Sequence, residues 1–537
     1  MWAMQRRTFL ASVAAGALAP RASHAAQAGI SIFLNEPIGT ISPLLHGHFL
    51  EHLGGVIYDG VWVGVESKIP NTGGIRKALI DAMKRLGSTV VRYPGGCFAD
   101  SYDWRDGVGP RNTRPHKNNF WANSGILRNL PDNHVSRSDP NSFGTNEFLR
   151  FCKEIGSEPY LAANVRSLPA KEFYDWVEYC NAPRGAGTLA GRRAAWGDPE
   201  PWNVRYWGVG NESWGCGGNL TPEEYSVEFR KFTSWTPNYG KPLSMIAAGP
   251  NGADYNWTRG FFQQMARKSP RSLNGVWGWA LHYYCGTSGK GDSLDFTVEN
   301  YYDLLERADR MESIVRQHWD AMGEVDRERH VKLVVDEWGA WHRDTTAVAP
   351  HHLFGSVQTM RDALIAGLTL DTFHRHADKI AMANVAQLVN CIQTLFLADG
   401  DRFCVTPTYH VFDMYKDHHG AEAVRTEFAA PRIDYTLEGK GRSLARLAGA
   451  ASKSAGAVTL TAVNLSHNEP LETSIALNGA AAKRARAAVL AGPSIQAHNS
   501  FASPEAVKPA ELAVRASGGE LRLTMPAASV VKVRVEV

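Results

Sequence analysis

Two glutamates in similar sequence settings are the residues of this chain best suited to acid–base chemistry. Glu212 follows the apolar run 204–207 in the stretch WGVGNESW, and Glu337 follows the apolar run 331–335 in the stretch VKLVVDEW. Each run predicts a buried strand that ends near the carboxylate. Hydrolysis of a glycosidic bond needs an acid to protonate the leaving oxygen and a second carboxylate facing the anomeric carbon. The pair predicts a carbohydrate-cleaving site, whereas either glutamate alone would equally suit a structural salt bridge.

The residues around these glutamates suit a sugar ligand. Asn211 directly precedes Glu212, and tryptophans flank both carboxylates. The 537 residues include 16 tryptophans, of which sugar-binding clefts use some and hydrophobic cores use others. Of the 57 Lys and Arg residues, three lie in the first 28 positions, so the rest of the chain carries 54 basic and 54 acidic side chains. This balance argues against nucleic acid as a partner and favours a neutral substrate.

The N-terminus resembles an export signal. Arg6 and Arg7 are followed by Phe9, Leu10 and a small apolar run over 11–20, which is too short to span a bilayer. Paired arginines in this position are typical of twin-arginine signals. We therefore expect a signal peptide over 1–28, a periplasmic or secreted bacterial protein, and no membrane contact of the mature form. The alternative is a retained membrane anchor.

Strand and helix patterns alternate from about residue 41 to residue 415, where short β-branched runs are each followed by an amphipathic stretch. The predicted strands are 45–50, 89–93, 159–164, 205–209, 244–248, 276–282, 332–336 and 380–386. The predicted helices are 75–86, 147–155, 171–179, 222–232, 300–322 and 352–372. Eight such units predict a (β/α)8 TIM barrel as the catalytic domain over 41–415. A doubly wound open sheet is the alternative, but it would need a glycine-rich phosphate loop that the sequence lacks.

The pattern changes after residue 415, where alternating apolar positions replace helical periodicity. The clearest segments are 458–463, 473–477, 521–523 and 530–537. Together with turn dipeptides such as Asn478-Gly479, they predict an antiparallel β-sandwich domain over 416–537. The region 29–40 also begins with an alternating run, so we expect it to join this sandwich.

Several longer stretches resemble the α-L-arabinofuranosidases of glycoside hydrolase family 51, within clan A. They are GTISPLLHGHFLEHLGGVIYDGVW, VRYPGGCFADSYDWRDGVGP, YWGVGNESWGCGGNLTPEEY, LHYY, DEWGAWH and NVAQLVN, and they extend from Gly39 to Asn390. The resemblance implies a barrel followed by a β-sandwich, as read above. It implies a retaining, exo-acting α-L-arabinofuranosidase in which Glu212 is the acid/base and Glu337 the nucleophile.

The resemblance also implies roles for the residues around the two glutamates. Glu51, Asn211 and Gln387 match residues that bind sugar hydroxyls, with Asn211 on the 2-hydroxyl. Tyr284 matches a tyrosine that contacts the nucleophile, and the neighbouring Tyr283 is the competing choice. We expect two supporting residues near the nucleophile, Arg92 and His282.

Cys97 departs from one form of the family pattern. Some relatives have an asparagine at this position that binds sugar hydroxyls, and a thiol is a weaker hydrogen-bonding group. We place Cys97 among the substrate-binding residues, with that contact weakened. Cys97 and Cys216 both follow predicted site strands, so a disulfide between them is an alternative to two free thiols.

The expected substrates are arabinan, arabinoxylan or oligosaccharides derived from them. No metal and no cofactor are expected, because the seven cysteines lack the spacing of a structural zinc site. Relatives often form homo-oligomers, so self-association is a further expectation. Two other functions remain open at this point: an endo-acting glucanase or xylanase on the same barrel, and a non-catalytic carbohydrate-binding protein.

Overall fold

The computed structural model describes residues 26–87, 89–286, 291–517 and 520–537. Of the predicted signal peptide over 1–28, residues 1–25 lie outside this part of the chain, and residues 26–28 form the start of a strand. Within the described residues, no helix is both long enough and apolar enough to cross a membrane.

A closed barrel of eight parallel strands forms the first part of the fold and confirms the predicted architecture. Each strand pairs with the next one along the chain, and the last pairs with the first. The strands are β1 (Gly47–Phe49), β2 (Val90–Tyr93), β3 (Glu158–Ala163), β4 (Tyr206–Val209), β5 (Ser244–Ala247), β6 (Gly278–Tyr284), β7 (Lys332–Gly339) and β8 (Ile380–Val385).

The α-helices are α1 (Lys77–Leu86), α2 (Thr145–Ile155), α3 (Ala170–Asn181), α4 (Thr188–Ala195), α5 (Pro222–Thr233), α6 (Tyr255–Lys268), α7 (Val298–Gly323), α8 (Met360–Arg375) and α9 (Pro407–Tyr415). Sequence periodicity did not identify α4, α6 or α9. The helix predicted from residue 352 begins only at Met360, because Thr359 and Asp362 form a capping box, in which the backbone N–H of Thr359 donates to Oδ2 of Asp362 over 2.7 Å.

Local signals explain where typical helices begin and end. In α1, Leu79, Met83 and Leu86 are buried on one face, and Gly87 ends the helix with φ of 70°. In α5, Pro222 occupies the first turn and the hydroxyl of Thr221 accepts from the backbone N–H of Glu224. These two helices end the loops that follow β1 and β4.

Short 3-10 helices and two-stranded sheets complete the fold. The 3-10 helices are Pro43–His46, Ala99–Ser101, Trp104–Gly107, Arg111–Thr113, Gly125–Asn129, Pro270–Gly275 and Lys416–His418. Two-stranded sheets join Asn71–Thr72 to Ile75–Arg76, Lys117–Asn118 to Ser138–Asp139, Phe396–Asp399 to Arg402–Val405, and Arg432–Leu437 to Lys440–Ala445.

The C-terminal region forms a sheet of ten strands. In spatial order they are Ala510–Leu512, Arg484–Leu490, Ser529–Glu536, Ala457–Asn464, Leu447–Ser454, Glu422–Ala429, Ala26–Thr40, Leu471–Asn478, Glu520–Met525 and Arg515–Ser517. The neighbours are antiparallel except for Ala26–Thr40 and Leu471–Asn478, which run parallel. The N-terminal strand therefore lies inside the C-terminal sheet.

The strand Ala457–Asn464 joins the sheet to the barrel because both of its faces are buried. Leu460 belongs to a core made by the sheet strands alone, whereas Val463 packs with the barrel core. At Gly367 in α8, an added Cβ would lie 2.8 Å from Cγ1 of Val463, so helix and sheet touch closely. The absence of a side chain at this position allows that approach.

Candidate active site

The predicted site residues meet at the carboxyl ends of the barrel strands, which is the face where barrel enzymes place their sites. Arg92 lies in β2, Glu212 follows β4, and Glu337 lies in β7. Glu51 follows β1 and Gln387 follows β8. Side chains from distant parts of the sequence thus form one cluster.

Three donors surround the Glu337 carboxylate, which is 6% exposed. Nη1 of Arg92 donates to Oε1 over 2.7 Å, and the hydroxyl of Tyr284 donates to Oε2 over 2.7 Å. Nδ1 of His282 lies 3.4 Å from Oε2. The hydroxyl of Tyr283 instead donates to the carbonyl of Arg307, so Tyr284 is the tyrosine in contact with this carboxylate.

Glu212 lies beside Glu337 in a more open position. Its Oε1 lies 2.9 Å from Nδ1 of His282, and its side chain is 19% exposed. Its φ of 40° is in the left-handed region, which side chains other than glycine adopt only at a cost of about 1 kcal/mol. This backbone turn directs the carboxylate into the cluster.

The two carboxylates are close together. Glu212, His282 and Glu337 each offer one ligand atom, and these three atoms lie within 4.8 Å of one another. Carboxyl groups that leave room for a water on the far side of a sugar are roughly 6.5–9.5 Å apart, whereas those that form a covalent intermediate are about 5–5.5 Å apart. One oxygen of each glutamate lying within 4.8 Å of the other favours the second arrangement.

His282 carries a proton between these acids. Burial would lower the pKa of its imidazole, but the charges of Glu337 and Asp336 and the hydrogen bonds to Asp336 and Glu212 raise that pKa to about 10. Nε2 of His282 lies 3.1 Å from Oδ1 of Asp336. The imidazolium is thus a fixed donor toward three carboxylates.

Asp336 is a site residue that the sequence did not reveal. It is 2% exposed, accepts a 2.8 Å hydrogen bond from Tyr160 and lies 3.4 Å from Nε of Arg92. Adjacent strand residues normally point to opposite faces. Here the β6–β7 pairing advances two residues from Ala280 to His282 but three along β7, and this bulge lets both Asp336 and Glu337 contact His282.

Arg92 and His282 together balance the buried acids. Burial lowers the pKa of the Arg92 guanidinium, but Asp336 and Glu337 more than offset this and hold it above its ordinary value. The guanidinium carbon also lies 4.6 Å from the ring centroid of Phe49. The same guanidinium and the charge of His282 hold the pKa of Asp336 below its usual range despite burial.

Glu51 is the centre of a second group of hydrogen bonds in the site. Its Oε1 accepts from the backbone N–H of Phe98 and from Nε1 of Trp121, each over 3.1 Å, and its Oε2 accepts from Gln387 over 3.0 Å. Burial and the charge of Glu337 raise the pKa of Glu51 to about 7. Trp121 comes from the long loop after β2, and no sequence pattern indicated this particular residue.

Asn211 is held at both its side chain and its backbone. Its Oδ1 accepts from Nη2 of Arg92 over 2.6 Å, and its backbone N–H donates to Oδ2 of Asp100 over 3.0 Å. Asp100 also accepts from the backbone N–H groups of Val165 and Arg166, and burial raises its pKa to about 7. Asp100 therefore ties together the loops after β2, β3 and β4, which sequence patterns did not indicate.

Cys97 and Cys216 form a disulfide, with an S–S distance of 2.01 Å and Cα atoms 5.5 Å apart. The disulfide is the alternative that the sequence analysis left open, and it leaves Cys97 without a thiol hydrogen to donate to a sugar hydroxyl. The two sulfurs lie 3.9 and 3.6 Å from Oε2 of Glu212, respectively. Cys152, Cys180, Cys285, Cys391 and Cys404 are buried and unpaired.

Comparison with known proteins identifies close relatives over almost the whole chain. Residues 82–270 match the family described as "Alpha-L-arabinofuranosidase 1 domain", and residues 336–529 match "Alpha-L-arabinofuranosidase C-terminal domain". An "Intracellular exo-alpha-L-arabinofuranosidase" of Bacteroides ovatus is 35% identical over 528 residues, covering 97% of this chain and 98% of the relative. An "Intracellular exo-alpha-(1->5)-L-arabinofuranosidase" of Bifidobacterium longum is 28% identical, covering 97% and 95%.

The relatives contradict the predicted location. Those from Bacteroides ovatus, Bifidobacterium longum, Streptomyces lividans and Acetivibrio thermocellus are all named intracellular. The prediction of a periplasmic or secreted protein is therefore wrong, and the names of the relatives do not support the twin-arginine signal peptide from which it came. It depended on one arginine pair and one short apolar run, a pattern with few constraints, and those residues lie outside the described part of the chain.

Solved structures agree with the sequence relatives. The family 51 arabinofuranosidase of Xanthomonas axonopodis pv. citri superposes with a TM-score of 0.87 at 33% identity, covering 95% of this chain and all of the other. The α-L-arabinofuranosidase of Thermotoga maritima, solved with arabinose, superposes with a TM-score of 0.81 at 28% identity over 95% of this chain and all of the other. With its barrel, its sheet and its paired glutamates, the chain belongs to glycoside hydrolase family 51, the family of the α-L-arabinofuranosidases.

Proposed function

We propose that this enzyme removes terminal α-L-arabinofuranosyl residues with retention of configuration, with Glu337 as nucleophile and Glu212 as acid/base. The observation that carries the proposal is the separation of the two carboxylates, which lie within 4.8 Å together with His282. A separation this short favours direct attack by a carboxylate over attack by an activated water.

In the first step, a Glu337 oxygen forms a bond to the anomeric carbon while the bond to the leaving oxygen breaks. The proton of Glu212 moves to that leaving oxygen. Arg92 supports this step because its guanidinium donates to Oε1 of Glu337 over 2.7 Å and holds that carboxylate in place. Glu212 is the more exposed of the two carboxylates, as expected for the group that faces the departing aglycone.

In the second step, Glu212 takes a proton from water, the hydroxide oxygen bonds to the anomeric carbon, and Glu337 leaves as a carboxylate. His282 contacts both glutamates and is held as an imidazolium by Glu337 and Asp336. We assign His282 the role of orienting both carboxylates while their charges change during the two steps.

The neighbouring polar groups would bind the sugar hydroxyls. Arg92 occupies the oxygen of the Asn211 amide, and Nδ2 contacts Sγ of Cys216 at 3.8 Å, which leaves its second hydrogen for the 2-hydroxyl. Glu51 and Gln387 bond to each other and would bind hydroxyls further along the ring. Because they are only 3% and 1% exposed, they close the inner end of the site, which favours a terminal sugar over an internal one.

The expected substrates are side chains or ends of arabinan, arabinoxylan and derived oligosaccharides. The Bifidobacterium longum and Streptomyces lividans relatives are named for α-(1→5) linkages, which supports arabinan as one of them. An endo-acting glucanase or xylanase would need a cleft open at both ends, so the closed inner wall speaks against that alternative. A non-catalytic binding protein would not need two carboxylates at attacking distance.

We also propose the division into a catalytic domain over 41–415 and a C-terminal domain over 416–537 that includes the N-terminal strand. The pairing of Ala26–Thr40 with both Glu422–Ala429 and Leu471–Asn478 supports this division. Deleting residues 29–40 should therefore lower the melting temperature of the sheet region. Unchanged melting would contradict the assignment of this strand.

Self-association into a homo-oligomer is a further part of the proposal. The side chain of Trp235 is 99% exposed. This supports the proposal because a second subunit would cover the apolar ring. Light scattering of the purified protein should show a mass that is a multiple of the 59.0 kDa chain. A monomer at every concentration would contradict the assembly.

Product stereochemistry tests the proposed reaction. Hydrolysis of an aryl α-L-arabinofuranoside followed by proton NMR should show α-L-arabinofuranose as the first product, before it equilibrates. An initial β product would contradict retention. Release of arabinose from short arabinans, without new reducing ends from unbranched xylan or glucan, should separate exo from endo action.

A further inference from the structure

A second cluster of metal-ligating side chains lies outside the catalytic centre. It consists of Asp59, in the loop after β1, and His351 and His352, in the loop after β7. One atom from each residue can be chosen so that all three lie within 4.8 Å of one another. No step of the proposed reaction uses these residues.

The two carboxylate oxygens of Asp59 have different surroundings. Oδ1 accepts from the backbone N–H of Gly400 over 2.9 Å and lies 3.7 Å from Nη2 of Arg76. Oδ2 is buried and has no hydrogen-bond partner among the described residues. It faces Nε2 of His351 at 3.4 Å and Nε2 of His352 at 3.9 Å. A buried carboxylate oxygen normally has a donor or a cation beside it.

The lone pair of His352 is available for a cation. Its Nε2 lies 3.3 Å from Nδ2 of Asn390, but the two hydrogens of that amide already go to the carbonyls of Gly55 and Ala398, each at 2.9 Å. That amide therefore has no further hydrogen for Nε2 of His352, which also faces Oδ2 of Asp59. His352 is 1% exposed, and an imidazole nitrogen is a common zinc ligand.

The spacing fits a tetrahedral ion. Ligand atoms that are about 2.0–2.2 Å from zinc lie roughly 3.3–3.6 Å from one another. The distances from Oδ2 of Asp59 to the two imidazole nitrogens, 3.4 and 3.9 Å, are close to this range. The bond from Gly400 to the other carboxylate oxygen would hold Asp59 in its orientation, as outer partners do in metal sites.

We propose that Asp59, His351 and His352 form a binding site for a divalent transition metal such as Zn²⁺, with water as the fourth ligand. The side chains of His351 and Asp59 are 17% and 23% exposed, which provides an entry path and room for that water. Two imidazoles and one carboxylate are a donor set that zinc accepts, whereas Ca²⁺ and Mg²⁺ prefer oxygen ligands.

The ion would fasten one wall of the catalytic cleft. Phe354 lies two residues beyond His352, and its ring centroid is 5.6 Å from that of Trp121 and 4.8 Å from that of Trp341. Trp121 donates to Glu51, and the ring of Trp341 contacts Tyr284 at 5.1 Å. Joining the loops after β1 and β7 would therefore stabilise the aromatic residues beside the sugar site.

Metal titration of the full-length protein tests the proposal. After treatment with dipicolinate, Co²⁺ should bind with one equivalent and give the visible absorption of a tetrahedral site, and Zn²⁺ should displace it. Asp59→Asn and His352→Gln should each weaken Zn²⁺ binding at least tenfold by calorimetry. His351→Gln, at a more exposed position, gives a third variant if a buried substitution prevents folding.

Two controls separate this site from other ligands. His330→Gln alters an exposed histidine near Asp326 and Glu328 and should bind Zn²⁺ like the unmodified protein. Glu337→Gln alters the catalytic cluster and should also retain the one-equivalent binding. Zn²⁺ should raise the melting temperature of these two controls but not that of Asp59→Asn.

The proposal is overturned if no Co²⁺ absorption develops, or if folded Asp59→Asn and His351→Gln bind Zn²⁺ as tightly as the unmodified protein. It is equally overturned if binding disappears in Glu337→Gln, because the ion would then belong to the catalytic centre.

Discussion

At the scale of single residues, the site is a network of alternating charges in which few side chains act alone. Arg92 and His282 face Asp336, Glu337 and Glu212, and each acid accepts at least one hydrogen bond. Buried charges persist only when they are paired in this way. Removing one member should therefore affect its neighbours as well as its own contact.

Replacing Tyr284 by phenylalanine tests the donor to the proposed nucleophile. The hydroxyl donates to Oε2 of Glu337 over 2.7 Å, and a hydrogen bond to a charged group contributes roughly 1.5–3 kcal/mol. Tyr284→Phe should lower kcat/KM about tenfold to a hundredfold, measured with an aryl α-L-arabinofuranoside.

Tyr283→Phe is the matched control, because that hydroxyl donates to the Arg307 carbonyl outside the catalytic cluster. It should change kcat/KM less than twofold. Equal losses in both variants would show that the Tyr284 contact has no special importance.

At the scale of elements, sequence periodicity located the barrel strands to within a few residues, because each buried strand is a continuous apolar run. It placed Glu212 and Glu337 at strand ends for the same reason. It missed Asp336, since the bulge in β7 breaks the alternation on which such a prediction depends. It missed Asp100 and Trp121 because loop contacts depend on chain folding rather than on local spacing, and it began α8 too early because the cap at Thr359 overrides periodicity.

The disulfide between the loops after β2 and β4 should contribute to stability. It joins two residues that are 119 positions apart in the sequence. Loss of such a disulfide frees the unfolded chain and costs about 2–5 kcal/mol of folding stability. Cys97→Ser/Cys216→Ser should lower the free energy of unfolding in urea by about that amount. The unmodified protein in dithiothreitol should show the same loss.

Cys404→Ser is a suitable control, because Cys404 is unpaired and lies in the hairpin Phe396–Asp399 and Arg402–Val405. Dithiothreitol should lower the free energy of unfolding of this variant by the same amount as that of the unmodified protein. If the double variant and the unmodified protein respond equally to dithiothreitol, the disulfide does not stabilise the fold.

At the scale of the whole molecule, the barrel and the C-terminal sheet are joined by buried polar contacts as well as apolar ones. Asp371 in α8 accepts from Thr461 over 2.6 Å and from Tyr415 over 3.0 Å. Burial raises the pKa of Asp371 to about 7, although both hydrogen bonds lower it. The junction between the two parts therefore contains a carboxyl group that favours its protonated form.

This carboxyl group should make stability depend on pH. The pKa of Asp371 in the folded state is above its usual 3.8. The protonated group therefore stabilises the fold fully below pH 3.8, and this contribution is lost as the pH rises toward 7. As the pH rises from 4 to about 7, the melting temperature of Asp371→Asn should therefore fall less than that of the unmodified protein. Calorimetry measures this difference. The exposed control Asp434→Asn should follow the unmodified protein, and identical curves for all three would contradict the assignment.

Chemical rescue with azide most directly tests the central claim that Glu337 is the nucleophile and Glu212 the acid/base. With an aryl α-L-arabinofuranoside, Glu212→Ala should still form the glycosyl-enzyme, because a good leaving group needs little protonation, and azide should release the α-arabinofuranosyl azide. Glu337→Ala should be inactive alone, and azide attacking from the vacated side should give the β-azide. If Glu337→Ala yields the α-azide, or Glu212→Ala the β-azide, the two roles are assigned wrongly.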